Sequence, residues 1–230
     1  MSADDPITAW LRPPPASVGP KPEYSRERIA AEAIALADAQ GLDAVSIRRV
    51  ARGVGSGPAS LYRYIGSRGE LLELMMDAVA GEYDLGPLGD SPAAQLVALA
   101  LQGRSIMRRH RWLPPLLLTR PSMGPNSLAY LERALQALDG TDMAGADKLQ
   151  TVAMLTAITS AFVQNETASD TLMGQDGVPP ERVRYLSEVM GSGRYPFLTA
   201  AFTAAPNQAG PEELLGALIR NHLSGAGLRE

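Results

Sequence analysis

The chain has 230 residues, of which 45% are hydrophobic and 20% charged, and its formal net charge is −4 at pH 7. These proportions are typical of an ordered globular protein, and no apolar run approaches the roughly 18 residues needed to cross a bilayer, so a membrane-spanning protein is excluded. The chain has no cysteine and only two histidines, which excludes disulfide frameworks, thiol chemistry and histidine-rich metal sites. We therefore expect no metal, no cofactor and no membrane partner.

The charge is unevenly distributed along the chain. Residues 21–70 carry eight Lys or Arg and six Asp or Glu, whereas residues 71–230 carry twelve and seventeen. A mildly basic segment thus precedes a larger acidic one. This order is compatible with a DNA-binding head on an acidic body.

Residues 1–23 form a separate segment with six prolines, a density that disfavours helix and predicts a flexible, extended arm. Trp10 and Leu11 are a bulky apolar pair within it, and they either dock on the body or remain solvated. The first six residues show no basic stretch followed by an apolar one, so we expect no export and a cytoplasmic protein.

Four helices are predicted between residues 24 and 82, because each has a start or stop signal. Ser25 and Ser46 are suitable N-caps, and Gly41 can end the first helix. Pro58 suits the first position of the third helix, and Ser67-x-x-Glu70 is a capping box for the fourth. The predicted helices cover residues 25–40, 47–52, 58–64 and 67–82.

Helical periodicity continues through the rest of the chain, with proline and glycine between the segments. The predicted helices there cover residues 93–110, 113–119, 126–139, 144–170, 180–190 and 211–224. No segment alternates with period two for long, so we predict an all-α protein. Its predicted units are the arm (1–23), a segment of short helices (24–82) and a larger helical domain (83–230).

The second and third helices are short, and a glycine-rich bend at residues 53–57 joins them, as in a helix-turn-helix unit. The third helix of such a unit enters the major groove, so its outer residues must be small, as Pro58, Ala59 and Ser60 are. Side chains able to meet the phosphate backbone flank this helix, namely Ser46, Arg48, Tyr62, Arg63 and Tyr64.

Three sequence motifs lie at or beside the starts of these predicted helices: Gly41-Leu42-Asp43-Ala44-Val45-Ser46-Ile47, Ser60-Leu61-Tyr62-Arg63-Tyr64-Ile65 and Ser67-x-x-Glu70-Leu71-Leu72. Together they resemble the DNA-binding domain of the TetR family of bacterial transcriptional regulators, over about residues 24–80. The arm and the segment 162–166 are similar to the branch whose C-terminal half is like that of the tetracycline repressor.

This resemblance implies a homodimer whose two heads bind a palindromic double-stranded DNA operator. It also implies that residues 24–82 are a helix-turn-helix DNA-binding domain and that residues 83–230 are a dimerisation and ligand-binding domain, which encloses a small-molecule inducer. The implied DNA contacts are Tyr62, Tyr64 and the backbone of Arg68 on phosphates, and Ala59, Ser60 and Arg48 nearest the bases. Lys21 in the arm is a further candidate for a DNA contact, in the minor groove.

The C-terminal half contains two apolar stripes at helical spacing, near residues 152–163 and 214–223. They form a four-helix interface between two copies, as the resemblance implies, or pack on their own chain. The candidate interface residues are Leu155, Phe162, Leu215, Leu218 and Ile219. Residues that mix apolar and polar character are the candidates for the ligand site: His110, Trp112, Met123, Asn126, Met154, Phe162, Gln164 and Asn165.

No constellation of residues indicates an enzyme. The bend at residues 53–57 fits neither the dinucleotide-binding nor the Walker spacing, and the sequence has no nucleophile elbow and no His-Glu-x-x-His. We therefore predict a ligand-responsive transcriptional regulator, most simply a repressor. Two alternatives remain open, a DNA-associated helical protein without sequence specificity and a helical small-molecule carrier without operator specificity.

Overall fold

The computed structural model describes residues 6–11, 25–173, 178–204 and 209–228, and in these ranges all regular structure is helical, which confirms the predicted all-α class. The helices run over Thr8–Leu11 (α1), Arg26–Gln40 (α2), Ile47–Gly53 (α3), Pro58–Leu61 (α4), Arg68–Ala80 (α5), Pro92–Arg109 (α6), Leu113–Leu117 (α7), Pro125–Ala137 (α8), Gly145–Met173 (α9), Pro180–Gly191 (α10), Pro196–Thr203 (α11) and Pro211–Gly225 (α12), with a 3₁₀ turn at Leu42–Ala44. None of the described helices is both long enough and apolar enough to cross a membrane.

Serine caps begin three helices of the N-terminal domain. The Oγ atoms of Ser25, Ser46 and Ser67 accept hydrogen bonds from backbone N–H groups three residues later, at 3.2, 3.3 and 3.1 Å. Glu70 in turn accepts a hydrogen bond from the N–H of Gly66 at 2.8 Å. Each bond satisfies a donor that the first helical turn leaves without a partner, so the predicted starts of α2, α3 and α5 are confirmed.

Proline begins six of the described helices, where its missing N–H removes no helical hydrogen bond. These prolines are Pro58, Pro92, Pro125, Pro180, Pro196 and Pro211. The prolines that separate the helical segments in the sequence therefore also fix where many of the helices start.

Two described helices, α1 and α11, are absent from the sequence prediction, and α4 ends at Leu61 and not at Tyr64. Thr8–Leu11 forms one helical turn, in which the N–H of Trp10 donates to the carbonyl of Ile7 at 2.9 Å, so the expectation of an extended arm is wrong there. The prolines of the arm flank this turn without interrupting it. The other helix, α11, has a weak sequence signal because it is rich in phenylalanine and threonine. The remainder of the arm lies outside the described residues.

Two apolar cores hold the helices together. The first lies under α2 to α5 and also includes Ile106 and Met107 of α6 and Leu113 of α7. The second joins α6, α8, α9 and α12 around the fully buried Leu96, Leu99, Leu138, Leu155, Leu215 and Ile219. Since the first core continues past residue 82, the helices α2 to α5, called the head from here on, rest directly on α6 and α7.

Candidate functional site

A tight turn joins α3 to α4 in the head. Gly55 within the turn has a φ of +81°, a left-handed conformation that glycine adopts without the steric cost of a side chain. Val50, Ala51 and Leu61 are completely buried and attach the two helices to the first core. These anchors and the turn form the helix-turn-helix unit predicted from the sequence.

The outer side of α4 carries small residues. Pro58 and Ala59 are exposed and Ser60 is half-buried, whereas Leu61 faces the core. Because no large side chain stands on the outer side, the backbone of α4 can come close to base edges in a major groove.

The two tyrosines after α4 lie in different surroundings. Tyr62 is 54% exposed and Arg63 beside it is exposed, so both can reach a phosphate. The ring of Tyr64 belongs to the first core and is only 7% exposed. Among the described residues nothing bonds to its hydroxyl, so any DNA contact by Tyr64 is restricted to that oxygen.

Among the other predicted DNA contacts of the head, one side chain is exposed and two bond within the chain. Arg48 is exposed on α3, while the Oγ of Ser46 is already occupied as the cap of that helix. The guanidinium of Arg68 donates to the carbonyls of Leu42 and Val45, at 3.2 and 3.4 Å, and so fixes the start of α5. Lys21 lies outside the described residues.

A cavity of about 360 Å³ lies behind the head, between α5, α6, α7, α8 and α9. Its inner wall is buried and apolar and consists of Met76, Val79, Ile106, Met107, Leu113 and Val152. Arg120, Pro121, Leu149 and Ala153 line the cavity and are exposed, so its mouth opens between the α7–α8 loop and α9. The polar lining groups include Ser122, Ser127 and Thr156.

Two tyrosines form one side of the cavity. The ring centroids of Tyr83 and Tyr130 are 4.6 Å apart, and an added Cβ at Gly103 of α6 would come within 2.6 Å of the Tyr83 hydroxyl. Only glycine at that position leaves room for this oxygen. Burial raises the pKa of both phenols, and Tyr130 itself raises the pKa of Tyr83 further. Both groups are therefore neutral hydrogen-bond donors at physiological pH.

The raised pKa values of Tyr83 and Tyr130 predict a loss of stability at alkaline pH. Above pH 10, the usual phenol pKa, these tyrosines ionise in the unfolded chain but keep their protons in the folded one. The stability that the neutral phenols contribute below pH 10 is therefore lost as the pH rises through the folded pKa values. We expect the free energy of unfolding in urea to fall between pH 9 and pH 11, and less steeply in Tyr130→Phe than in Tyr195→Phe. Equal slopes would contradict this.

None of the eight residues predicted for the ligand site lines this cavity. The walls come from five helices and the segments that join them, whereas the predicted residues lie elsewhere on α8 and α9 or in the segments on either side of α7. The residues that do line it, such as Tyr83, Tyr130 and Arg120, have no local sequence pattern in common. Only the fold brings them together.

His110 and Trp112 lie between the cavity and the head. Nδ1 of His110 is 2.9 Å from Oδ1 of Asp38 on α2, Nε2 is 2.9 Å from Oε1 of Glu82, and Nε1 of Trp112 donates to Oδ1 of Asp38 at 2.7 Å. The His110 ring therefore bridges the carboxylates of Asp38 and Glu82 through its two nitrogens. We call Asp38, Glu82, His110 and Trp112 the His110 cluster. Burial raises the pKa of Glu82, but hydrogen bonds from Arg109 and His110 outweigh it and lower that pKa overall.

Met123 and Asn126 lie beside a buried acidic face of α5. Glu73 accepts hydrogen bonds from the N–H of Met123 at 2.8 Å and from the indole of Trp10 at 2.9 Å. Asp77 accepts from the side chain of Asn126 at 3.2 Å. Trp10 therefore docks on α5 and is not left solvated, whereas Leu11 is 61% exposed. This acidic face attaches α1 and the α7–α8 loop to the head.

The remaining candidates lie on α9 and α12. Leu155, Leu215 and Ile219 are at most 1% exposed because they form the second core of their own chain, and Phe162 packs against that core. Gln164 is half-buried and Asn165 is exposed. The exposed apolar side chains on these two helices include Met154 at 42% and Leu218 at 46%. Met154 also borders an open groove of about 850 Å³ between the start of α9 and the end of α12.

The pair α10 and α11 is another apolar surface. Its exposed large side chains are Val183, Tyr185, Tyr195, Phe197, Leu198 and Phe202, and Phe197 reaches 90% exposure. Such a patch is unusual on a monomer in water.

Comparisons with known proteins agree with this architecture. The sequence profile described as "Bacterial regulatory proteins, tetR family" matches residues 29–75, and the profile described as "Tetracyclin repressor-like, C-terminal domain" matches residues 87–212. An "HTH-type transcriptional repressor DrrR1" of Streptomyces coeruleorubidus is 34% identical over 191 residues, which cover 80% of this chain and 71% of the relative. An "HTH-type transcriptional regulator" of Saccharopolyspora erythraea is 30% identical over 173 residues, with coverage of 74% and 71%.

Solved structures show the same fold. ActR from Streptomyces coelicolor in complex with actinorhodin gives a TM-score of 0.70 at 25% identity, over 89% of this chain and 99% of that chain. Apo ActR gives a TM-score of 0.65 at 25% identity, over 89% and 97% of the two chains.

Proposed function

The chain belongs to the TetR family of bacterial regulatory proteins, and from this premise we propose that it is a ligand-responsive transcriptional repressor that binds a palindromic operator as a homodimer. One observation carries the proposal. Ile106, Met107 and Leu113 line the cavity, and within the same short segment His110 and Trp112 bond to Asp38 of the head. A ligand that displaces this segment therefore also displaces the DNA-binding helices.

The exposed surface of the head supports major-groove binding. Pro58, Ala59 and Ser60 meet base edges, while Tyr62 and Arg63 meet phosphates and set the register of α4. Arg48 on α3 adds a second cation beside the backbone. Small outer residues between flanking phosphate contacts are what a recognition helix requires.

Tyr62→Phe is expected to weaken operator binding about threefold to tenfold, because it removes one hydroxyl donor to a phosphate. The ring is retained, so the fold and the dimer are unchanged. Fluorescence anisotropy with a labelled operator duplex measures the affinity, and Tyr195→Phe, which removes an exposed hydroxyl far from the head, is the matched control. An unchanged affinity in Tyr62→Phe would reject this phosphate contact.

A partly exposed apolar stripe supports dimerisation through α9 and α12. Met154, Ile158 and Phe162 follow one another at helical spacing on α9, and Leu214 and Leu218 do so on α12. Because Leu155, Leu215 and Ile219 are used inside the chain, the proposed interface consists of their exposed neighbours. A second copy also covers part of the apolar surface of α10 and α11.

Leu218→Asp is expected to convert the dimer into monomers, since it places an unpaired carboxylate in an apolar interface. Leu218 is 46% exposed in the single chain, so the fold tolerates the change. Sedimentation velocity at micromolar concentration measures the result. The control is Ala31→Asp, which adds the same charge at an exposed position of α2, away from α9 and α12. If Leu218→Asp sediments as a dimer, the interface lies elsewhere.

The proposed response to ligand is a shift between two states of the dimer. In the DNA-bound state the two recognition helices are about 34 Å apart, one turn of DNA. The ligand prefers a state with another spacing, and the operator is released only to the extent of that preference. The cavity supplies the ligand site, and the His110 cluster transmits the change. Such a regulator acts in the cytoplasm, on the bacterial chromosome.

Binding to sheared genomic DNA from the source organism tests the function. In an excess of non-specific duplex and at rising salt, a regulator retains a few loci, because base contacts survive when phosphate contacts weaken. A DNA-associated protein without specificity recovers fragments in proportion to their abundance. A small-molecule carrier recovers none. Either of these two outcomes would contradict the proposal.

A further inference from the structure

The chemistry of the cavity indicates which class of ligand it takes, an inference that rests on the proposed ligand response. We propose that the cavity binds a small aromatic acid, with its ring system against the apolar wall and the two tyrosines and its acidic group on Arg120 at the mouth.

The inner wall fits a flat ring system. Met76, Met107, Tyr83 and Tyr130 all line the cavity, and thioethers and aromatic rings both pack favourably on aromatic faces. The volume of about 360 Å³ is near the lower end of the roughly 300–1,000 Å³ typical of small-molecule sites. The ligand is therefore small and mostly apolar.

A hydroxyl in the wall is free to donate to the ligand. The Oη of Tyr83 has no hydrogen-bond partner in the part of the chain that the structure describes, and Gly103 provides the space it occupies. Its raised pKa keeps it protonated, so it donates to a carbonyl or hydroxyl oxygen on the ring system. Tyr130, by contrast, lies only 3.5 Å from the Oγ1 of Thr156.

Arg120 determines the charge of the ligand. It is the one charged residue in the lining as far as the structure describes the chain, and none of the ion pairs in the described ranges involves it. The nearby carboxylates of Glu73 and Asp77 are occupied by the N–H groups of Met123 and Ser127. An exposed guanidinium at the mouth of an apolar cavity favours an anion, because it forms charge-assisted, bidentate hydrogen bonds with a carboxylate or sulfonate.

Two fluorescent probes that differ only by one sulfonate group test the inference. The anion is 1-anilinonaphthalene-8-sulfonate, and N-phenyl-1-naphthylamine has the same rings without the sulfonate. We expect Arg120→Gln to lower the affinity for the anionic probe about tenfold, the scale of one hydrogen bond to a charged group. The affinity for the neutral probe is unchanged. Arg120→Lys keeps most of the affinity for the anion. The charge-matched control Arg182→Gln, on α10, changes neither affinity.

Equal effects of Arg120→Gln on both probes, or no effect on either, would overturn the inference. Ala153→Trp separates this failure from that of the proposed function, because Ala153 is exposed at the mouth and a large ring there blocks entry. If the full chain binds neither probe, or if Ala153→Trp does not reduce binding, the cavity is not the ligand site and the proposed ligand response fails. If Ala153→Trp blocks both probes and Arg120→Gln does not discriminate between them, the cavity is still the ligand site. Only the inference that the ligand is an aromatic acid is then wrong.

Discussion

Ala59→Glu is expected to lower operator affinity at least about 100-fold, the largest effect of any single change in the head. Ala59 is exposed on the outer side of α4, where a glutamate places a carboxylate among phosphates and fills the space that base edges need. The same carboxylate lies in the first turn of a helix, where it interacts favourably with the helix dipole. The free energy of unfolding is therefore unchanged or slightly raised while DNA binding is lost.

Ala31→Glu is the matched control, because Ala31 is exposed on α2, outside the helix-turn-helix unit. Anisotropy titrations with the operator duplex, with urea denaturation of the same samples, measure both quantities. If Ala59→Glu and Ala31→Glu reduce the affinity equally, net charge and not the outer side of α4 governs binding. That result would contradict the recognition helix.

His110→Ala is expected to lower the free energy of unfolding by about 2 kcal/mol, because it removes the ring that bridges Asp38 and Glu82 and leaves both carboxylates without this partner. His110 has a side chain 9% exposed, but its partners are 31% and 35% exposed, so water compensates part of the loss. Since α2 then loses the imidazole as a link to α6, amide exchange in the head becomes faster, and the operator responds less to ligand.

The other histidine provides the control. Within the described ranges the His222 side chain makes one hydrogen bond, 3.4 Å from its Nε2 to the carbonyl of Thr151, beside Leu223 of the second core. His222→Ala is therefore expected to cost well under 1 kcal/mol, the scale of a weak hydrogen bond. Urea denaturation at pH 7 compares the two variants. Equal losses, or a larger loss in His222→Ala, would show that the His110 cluster does not hold the head to the body.

Features set by neighbouring residues are predictable from the sequence. Ser25, Ser46 and Ser67 act within one helical turn, and Pro58 acts on its own backbone, so each can be read without knowing the fold. The small outer side of α4 follows from the same local reasoning. The predicted helix-turn-helix unit agrees with the structure for this reason.

Features set by distant residues are not predictable in this way. His110 reaches Asp38 across 72 residues of sequence, and Trp10 reaches Glu73 across 63. A basic run at the end of α6 is equally well explained by the helix dipole, so the sequence contains no sign of the carboxylates that His110 meets. The cavity is harder still to predict, because five helices each contribute a few apolar residues that are indistinguishable from core.

The stripes on α9 and α12 illustrate an intermediate case. Helical periodicity correctly identifies an apolar face, but a monomer core and a dimer interface have the same period. The structure assigns Leu155, Leu215 and Ile219 to the core and leaves Leu218 exposed, although Leu218 is the immediate neighbour of Ile219 on α12. Packing of α12 against α6 and α9 determines which side of the helix is buried.

Selection of bound duplexes from a random DNA pool by the purified chain, followed by sequencing, tests the central claim most directly. Two heads related by a twofold axis predict an enriched palindrome with half-sites about 10 base pairs, or a multiple of this, apart. The enriched duplex binds one dimer, and Ala59→Glu enriches nothing. A pool without any enriched motif at low salt, or a single unpaired half-site, would contradict a dimeric, operator-specific repressor.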